Sequence, residues 1–303
     1  MRVFVTGASG FIGSAIVAEL QEKGHQVIGL ARSEASAQSL IRQGVQVHRG
    51  DLEDLDSLRS GAAAAEAVIH TAFNHDFSQY KVNCESDRQA IEAMGSVLIG
   101  TNYPLIITTG TGISVPGKAR AEEDPSAVDS SVSPRQASEE AIEAVAAKGV
   151  NTAVIRLSPS VHDTRAQGLV TILVALARQH GQSAYLGEGL NRWPAVHRLD
   201  AASLFVKAFE KGVAGGKYHA VAEEGVTVKE IAAAIAHRFN IPLVSQTPEE
   251  AAAYFGWLAP FMSFDIPASS MLTRQRLGWN PTHPTLLEDL ANLPLQAPAD
   301  LPY

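Results

Sequence analysis

A single cysteine, Cys84, stands in 303 residues, and this excludes both an internal disulfide and a cage of cysteine ligands around a metal. It lies beside Val82 and Asn83 in a stretch of helical spacing and reads as a packed thiol. The ten histidines include no His-x-x-x-His or His-Glu-x-x-His pair, so no metal site is expected. Gly-x-Ser-x-Gly is absent too, which removes the strained serine turn of one hydrolase class. There is no run of about eighteen apolar residues to cross a bilayer. Positive charge is also scarce: the formal net charge is -8, which offers no field to draw in phosphate backbones. Neither nucleic acid nor membrane is an expected partner. The first apolar strand starts at Arg2 and is needed by the fold, so no signal peptide is expected, and the cytoplasm is the default location.

What is present begins almost at the first residue. Val3-Phe4-Val5 makes a buried strand, Thr6-Gly7-Ala8-Ser9-Gly10 turns the chain, and an apolar-periodic run from Phe11 through Ile12 and Gly13 to Lys23 opens a helix. A helix start presents unpaired N–H groups and the positive end of its dipole, which suits an anion. Gly7 permits the turn, Gly10 lets the backbone approach phosphates, and Gly13 allows close helix–strand packing. Gln26 to Ala31 reads as the next strand, so a βαβ unit that binds the pyrophosphate of a dinucleotide is complete early. Ser9, Phe11 and Ile12 belong to the same cradle.

After that second strand comes Arg32-Ser33. An acidic residue there would bond an adenosine ribose hydroxyl and repel a 2′-phosphate. A guanidinium with an adjacent hydroxyl instead grips phosphate, so NADP(H) is expected in preference to NAD(H). Asp51-Leu52, at the end of a strand over Val45 to His48, suits the adenine ring, or Asp51 caps the helix starting near Asp54. The strand Ala67 to His70 runs into Thr71-Ala72-Phe73, where small residues let the chain pass close to the cofactor.

Further alternation follows: a helix from Tyr80 to Met94, a strand from Pro104 to Thr109, a helix from Ala137 to Ala147, and strands over Thr152 to Leu157 and Lys217 to Val221. This predicts an α/β fold, a doubly wound parallel sheet of about seven strands covered on both faces. Residues 1–160 with about 196–222 are expected to form the dinucleotide-binding domain. Residues 161–195 with 223–303, read as helices joined by proline- and glycine-containing loops, form a smaller, mostly helical substrate lobe.

These residues resemble the short-chain dehydrogenase/reductase superfamily in its extended branch, which includes nucleotide-sugar epimerases and dehydratases. The resemblance rests on Thr6 to Gly13, Gly50-Asp51-Leu52, Asn83, Arg156-Leu157-Ser158-Pro159, Val196 to Asp200 and Leu277 to Pro281. It implies a Rossmann fold, a nicotinamide over the carboxyl edge of the sheet, with Thr108, Leu157, Ser158 and Pro159 near it, and a homodimer face on the fourth and fifth sheet helices. It also exposes a departure. Where the superfamily keeps Ser-Pro-Tyr-x-x-x-Lys, this chain has Ser133-Pro134-Arg135-Gln136-Ala137-Ser138-Glu139. Tyrosine has become arginine and lysine has become glutamate.

Arginine stays charged at any working pH and is no ordinary general acid. Aimed at a developing alkoxide, Arg135 would still stabilise charge, a role worth about 3 to 4 kcal/mol for one donor elsewhere. Glu139 either pairs with Arg135 or accepts from the nicotinamide ribose; the alternative for both is a surface ion pair. Thr109 is the better placed hydroxyl to polarise a carbonyl, and His75 titrates in the useful range. Thr111, Tyr185 and Trp193 are the candidate substrate contacts, and His197 reads as structural. Beyond Arg192 and Arg198 no basic cluster awaits a second pyrophosphate, which favours a small uncharged substrate. The expected function is an NADP(H)-dependent oxidoreductase on a small carbonyl or alcohol. The alternatives are a non-catalytic NADP-binding redox sensor and an epimerase or lyase that keeps its nicotinamide.

Overall fold

The computed structural model describes residues 1–112, 118–126, 128–165, 168–212 and 214–295; part of the loop expected over 111–132 lies outside them. In chain order the elements are β1 (Arg2–Thr6), α1 (Gly13–Glu22), β2 (Gln26–Ala31), α2 (Glu34–Arg42), β3 (Gln46–Arg49), α3 (Leu55–Ala63), β4 (Ala67–His70), α4 (Tyr80–Ser96), β5 (Pro104–Gly110), α5 (Gln136–Ala146) and β6 (Asn151–Leu157). Then come β7 (Ser160–His162), α6 (Leu169–His180), β8 (Ser183–Leu186), β9 (Arg192–His197), α7 (Arg198–Lys211), β10 (Gly216–Ala220), β11 (Glu223–Thr227), α8 (Val228–Phe239), β12 (Leu243–Gln246), α9 (Pro248–Phe255), α10 (Met271–Leu277) and α11 (Leu286–Ala291). Short 3-10 turns cover Phe77–Gln79 and Gly256–Ser263.

Seven strands form one parallel sheet in the order β10-β6-β5-β4-β1-β2-β3. Its strands are continuous apolar runs because both faces are covered. Alternate residues of β1 serve opposite cores: Val3 and Val5 join α1 and α7, while Phe4 joins Leu58, Ile91, Ile107 and Ile142 on the other side. The strand order reverses beside β1 and β4, and in open α/β sheets the crevice at such a reversal is where ligands bind.

The remaining chain has a core of its own, built on Val170, Leu173, Ile231, Tyr254, Phe255, Leu286 and Leu290. Its helices start on local signals. Thr227 with Glu230, Thr247 with Glu250 and Thr285 with Glu288 each form a reciprocal capping box, and Pro248 occupies the first turn of α9.

Sequence reasoning gave this part only helices and loops, and here the structure corrects it. β9 lies between β11 and β7 in a three-stranded sheet, and β8 pairs with β12 in a second. These strands are three to six residues long, and Pro194 in the middle of β9 argues against a central strand. The register explains the exception: pairing of β9 with β11 slips between Glu223 and Val226, opposite the proline, so its missing N–H costs no ladder bond.

Gly13 shows how tightly α1 is drawn onto the first turn. A Cβ added there would lie 2.0 Å from the Gly7 carbonyl oxygen, and backbone on both sides would have to move. Gly13→Ala is expected to cost about 1–3 kcal/mol, the range for overpacking. Gly24→Ala serves as control: its φ is +79° with nothing within 4 Å, so left-handed strain of about 1 kcal/mol is all it should cost. Urea unfolding of the two variants measures the difference, and equal midpoints would contradict the close packing.

Candidate cofactor and active site

The turn between β1 and α1 forms an open cradle. Ser9 and Gly10 are exposed, and Phe11 and Ile12 are half-buried. α1 has no side-chain cap, and among the described residues no acceptor takes the amides of Phe11 or Ile12. Unpartnered N–H groups at a helix start fit an anion. The far wall is the end of β4. A Cβ on Gly7, whose φ is +68°, would lie 2.8 Å from both the Ala72 amide nitrogen and Thr71 Oγ1. Thr71 Oγ1 donates to the Thr6 carbonyl at 2.8 Å, and the Ala72 amide donates to Thr6 Oγ1 at 3.2 Å. Thr71 and Ala72 thus stand against the glycine turn, and Phe73 follows them in the chain.

At the other end of the crevice, Arg32 is exposed and engaged by no hydrogen bond or ion pair among the described residues. Ser33 caps α2, its hydroxyl accepting the Ser36 amide at 3.1 Å. Arg49 ends the neighbouring strand β3, donates to the Ser33 carbonyl at 3.2 Å and pairs with Glu34. Two guanidiniums and a helix start therefore share this edge. The expected cap at Asp51 is corrected: Asp54 caps α3 by accepting the Ser57 amide at 3.1 Å, while Asp51 accepts from Glu53. Asp51 and Leu52 remain half-buried at the strand end. On the opposite flank Ser158 is buried and donates to the Ala220 carbonyl at 2.8 Å, and the Pro159 carbonyl accepts from Leu169. Leu157 closes β6 beside Gly110.

The two substituted positions do not pair with each other, contrary to one of the sequence expectations. Arg135 reaches Asp87 of α4 at 2.6 Å, also touches Ser138 Oγ, and donates to the Thr108 carbonyl at 2.8 Å. The other Asp87 oxygen lies 3.0 Å from His70 Nε2, and His70 Nδ1 is 2.7 Å from Thr6 Oγ1. Asp87 is buried, which alone would raise its pKa; Arg135, His70 and Ser138 outweigh that and hold it well below the carboxylate range. Thr108 Oγ1 donates to the His70 carbonyl, closing the network.

Glu139 turns the other way. Its carboxylate takes a bidentate pair from Arg156, at 2.8 and 2.6 Å, and a hydrogen bond from Thr109 Oγ1 at 3.1 Å. Arg156 is fully buried, and the register that places it opposite Thr109 brings the three side chains together. Burial raises the Glu139 pKa, and Arg156, Lys217 and Thr109 together bring it below the usual value. Thr111 is buried, its amide donating to the Leu157 carbonyl and its own carbonyl accepting from Arg120.

His75 is exposed on the loop after β4, its ring 5.5 Å from that of Phe73. Desolvation and the nearby Arg135 charge hold its pKa below the ordinary histidine value. The Arg135 guanidinium lies 4.3 Å above the Phe73 ring. Tyr185 and Trp193 make their contacts elsewhere: Lys229 stacks on Tyr185, and Trp193, 1% exposed, donates to the Phe264 carbonyl.

Asp87, Ser138 and Arg156 escaped sequence reasoning as members of the site. The signals were there: Asp87 lies one turn beyond Asn83 on the inner face of α4, and Arg156 is a charge inside the apolar run of β6. A charge in such a run implies a buried partner.

Among the described residues one cluster has metal-ligand chemistry, His197, Asp200 and His283. Its protonation pattern opposes ligation. His197 Nδ1 accepts the Leu199 amide, so its Nε2 carries the proton, and both Asp200 oxygens accept from the backbone of Thr282 and His283.

A model of the NAD-dependent epimerase/dehydratase family matches residues 3–222. An uncharacterized protein of Schizosaccharomyces pombe is 52% identical over 293 residues, covering 96% of this chain and 99% of its own length. A 2-alkyl-3-oxoalkanoate reductase of Stenotrophomonas maltophilia is 30% identical over 222 residues, 69% of this chain and 66% of that protein. Among solved structures, a UDP-glucose 4-epimerase of Thermus thermophilus in complex with NAD superposes with a TM-score of 0.74 at 21% identity, covering 96% of this chain and 97% of that one.

The buried ion pairs make stability sensitive to acid. His219 is pushed down to about 4, first by burial and then by the Arg156 charge. The folded state thus keeps it neutral while the unfolded chain binds a proton near pH 6.5. Its contribution is complete above pH 6.5 and is lost as pH falls toward 4. Asp87 and Glu139, both depressed, contribute above the ordinary carboxylate range and lose that contribution below about pH 4. The urea midpoint is expected to fall in two stages, and His219→Gln should flatten the upper one. A midpoint constant between pH 7 and 4.5 would refute the assignment.

Proposed function

The chain belongs to the NAD-dependent epimerase/dehydratase family, and from that premise we propose that it is an NADP(H)-dependent oxidoreductase moving a hydride to or from a small carbonyl or alcohol without the usual acid/base pair. The observation that carries this reading is the cofactor crevice: an amide cradle at one end and, at the other, the unengaged Arg32 beside Arg49 and the start of α2. Gly7, Ser9, Gly10, Phe11, Ile12 and Gly13 would hold the pyrophosphate. Arg32 and Ser33 would take the 2′-phosphate, Asp51 and Leu52 the adenine, and Thr71, Ala72, Phe73, Thr108 and Leu157 to Pro159 the nicotinamide half.

A bound nicotinamide supplies the hydride; the chain's own part is to orient the carbonyl and manage charge. Arg135, 21% exposed at its side chain, keeps N–H groups beyond those spent on Asp87, Ser138 and Thr108, and turns them toward the alkoxide oxygen. His75, neutral at physiological pH, accepts the alcohol proton in oxidation and returns it in reduction. Thr109 and Glu139 are tied to Arg156, so their part is to hold β5 and α5 in position. The reductase name of the Stenotrophomonas relative agrees with this chemistry.

The cations that a nucleotide substrate would need are already paired. Arg192 binds Asp265 through two hydrogen bonds, at 3.0 and 2.8 Å, and Arg198 and Arg165 both pair with Asp163, at 3.1 and 2.8 Å. This supports a small uncharged substrate over a nucleotide sugar. The enclosure of Arg135 and Glu139 in ion pairs favours one second reading, a protein that binds the dinucleotide and reports redox state without turnover.

Nicotinamide fluorescence separates these cases. NADPH is expected to bind at least tenfold more tightly than NADH, and Arg32→Ala to remove about tenfold or more of that preference, as loss of one charge-assisted hydrogen bond would. His75→Gln should lower aldehyde turnover while leaving NADPH affinity intact. Equal affinity for the two cofactors defeats the NADP(H) assignment. Binding without turnover across an aldehyde and alcohol panel defeats the enzyme reading in favour of the sensor.

A further inference from the structure

A row of aromatic rings leads from beside Arg135 to the surface, and among the described residues its outer half touches none of the charged groups of the crevice. Phe73, three residues beyond the end of β4, lies 5.5 Å from His75 and 6.4 Å from Tyr80. His75 is 6.2 Å from Phe77, and Phe77 stacks on Trp257 at 5.2 Å with the planes inclined by 21°. Trp257 in turn meets Phe261 edge-on at 6.2 Å. The first four side chains stand on the segment between β4 and the start of α4; the last two stand on the 3-10 stretch that leaves α9, whose Leu258 and Met262 pack into the second core.

Two properties set this row apart from ordinary core. Its outer members are wet: Phe77 is 37% exposed, Trp257 51% and Phe261 38%. Neighbouring exposed aromatics on one soluble chain mark a binding surface, since water contact with so much apolar area is unfavourable unless something covers it. The row also starts at the two polar groups that face the reacting carbonyl. The Arg135 guanidinium covers one face of Phe73, and its charge helps to depress the His75 pKa.

The surroundings select against charge. Asp76, the carboxylate within the segment, is held by the Ser78 amide and hydroxyl, which both donate to Oδ1, at 3.0 and 2.6 Å, and its negative charge disfavours an anionic group there. Arg135 is paired with Asp87. Among the described residues the cation over these rings is the paired Arg135, on Phe73, and the stacked geometry favours a flat group slipped against Phe77 and Trp257.

We propose that this row is the substrate-recognition surface, and that it takes an uncharged carbonyl compound carrying a flat aromatic or conjugated group, the carbonyl toward Arg135 and His75 and the flat group against Phe77 and Trp257. The inference rests on the oxidoreductase reading and deepens it. Phe77 and Trp257 are then specificity-determining residues contributed by two separate parts of the chain.

The full-length protein with NADPH tests this, using 2-naphthaldehyde and butanal as paired substrates and equilibrium dialysis of 2-naphthol as a readout that needs no turnover. kcat/KM is expected to favour 2-naphthaldehyde strongly. Phe77→Ala and Trp257→Ala should each reduce that preference about tenfold, chiefly through KM, as loss of one stacked ring would. Trp257→Phe should restore most of it. 2-Naphthol should bind the native protein and bind both alanine variants more weakly. If neither aldehyde is turned over, the oxidoreductase reading fails, and dialysis still decides the ring site. Equal kcat/KM for the two aldehydes, or 2-naphthol binding that is absent or unchanged in both variants, overturns the inference.

Discussion

The carboxylate of Asp87 is the point on which the candidate site turns. It is buried between α4 and the end of β4, where an isolated charge would be strongly disfavoured, and it survives as an anion because Arg135, Ser138 and His70 surround it. Through His70 the same network reaches Thr6, and through Thr6 the wall of the glycine turn. The residue standing where the superfamily keeps its tyrosine is therefore part of the structural frame as well as a neighbour of the active-site crevice. A neutral side chain at position 135 would leave a buried carboxylate without its cation, a change that costs about 3–5 kcal/mol in buried pairs. Arginine at 135 and aspartate at 87 form one unit in physical terms, since neither charge is tolerated there without the other.

Glu139 obeys the same logic one turn later. A lysine there would lie beside the buried guanidinium of Arg156, and like charges in a region of low dielectric repel strongly. Glutamate satisfies Arg156 through both oxygens and also takes the Thr109 hydroxyl. The familiar pair, a neutral phenol and a cation, has become a cation and an anion, each directed to a different partner. Under the proposed oxidoreductase reading, proton transfer would then come from outside the helix that normally supplies it. Of the titratable groups near Arg135 and outside those buried pairs, burial pushes Tyr80 up to about 12 and Cys84 up as well, while His75 is held below the ordinary histidine value.

The sheet was legible because its signal is long-ranged and repetitive: buried runs at β1, β2, β4, β5 and β6, with helices between them, admit one arrangement. The cradle was legible because glycine at positions 7, 10 and 13 has few other uses in that context. The partners of Arg135 and Glu139 were not. Whether a charge on α5 meets its neighbour one turn away or a residue on α4 or β6 depends on side-chain direction and burial, and the spacing of 135 and 139 alone favoured the wrong pairing. The short strands around Pro194 were hidden for a related reason, since the bulge that accommodates the proline lies on another strand, about thirty residues away in sequence.

Electrostatics and ring chemistry divide the crevice between them. Arg192 and Arg165 are paired with Asp265 and Asp163, and Arg198 is shared between Asp163 and the Phe11 carbonyl at the cradle, so little unpaired positive charge is left for an anionic substrate beyond the crevice, while Arg32 and the amide cradle keep theirs within it. On the proposed reading, what remains for holding a substrate is the apolar surface of rings and the directional hydrogen bonds of Arg135. Apolar contact gives affinity with little orientation; the guanidinium fork gives orientation because its donors are fixed in one plane. With the guanidinium plane anchored by Asp87 and the Thr108 carbonyl, a carbonyl bound as proposed would have one direction in which to point, and that constraint would substitute for the positioning that a tyrosine hydroxyl otherwise provides.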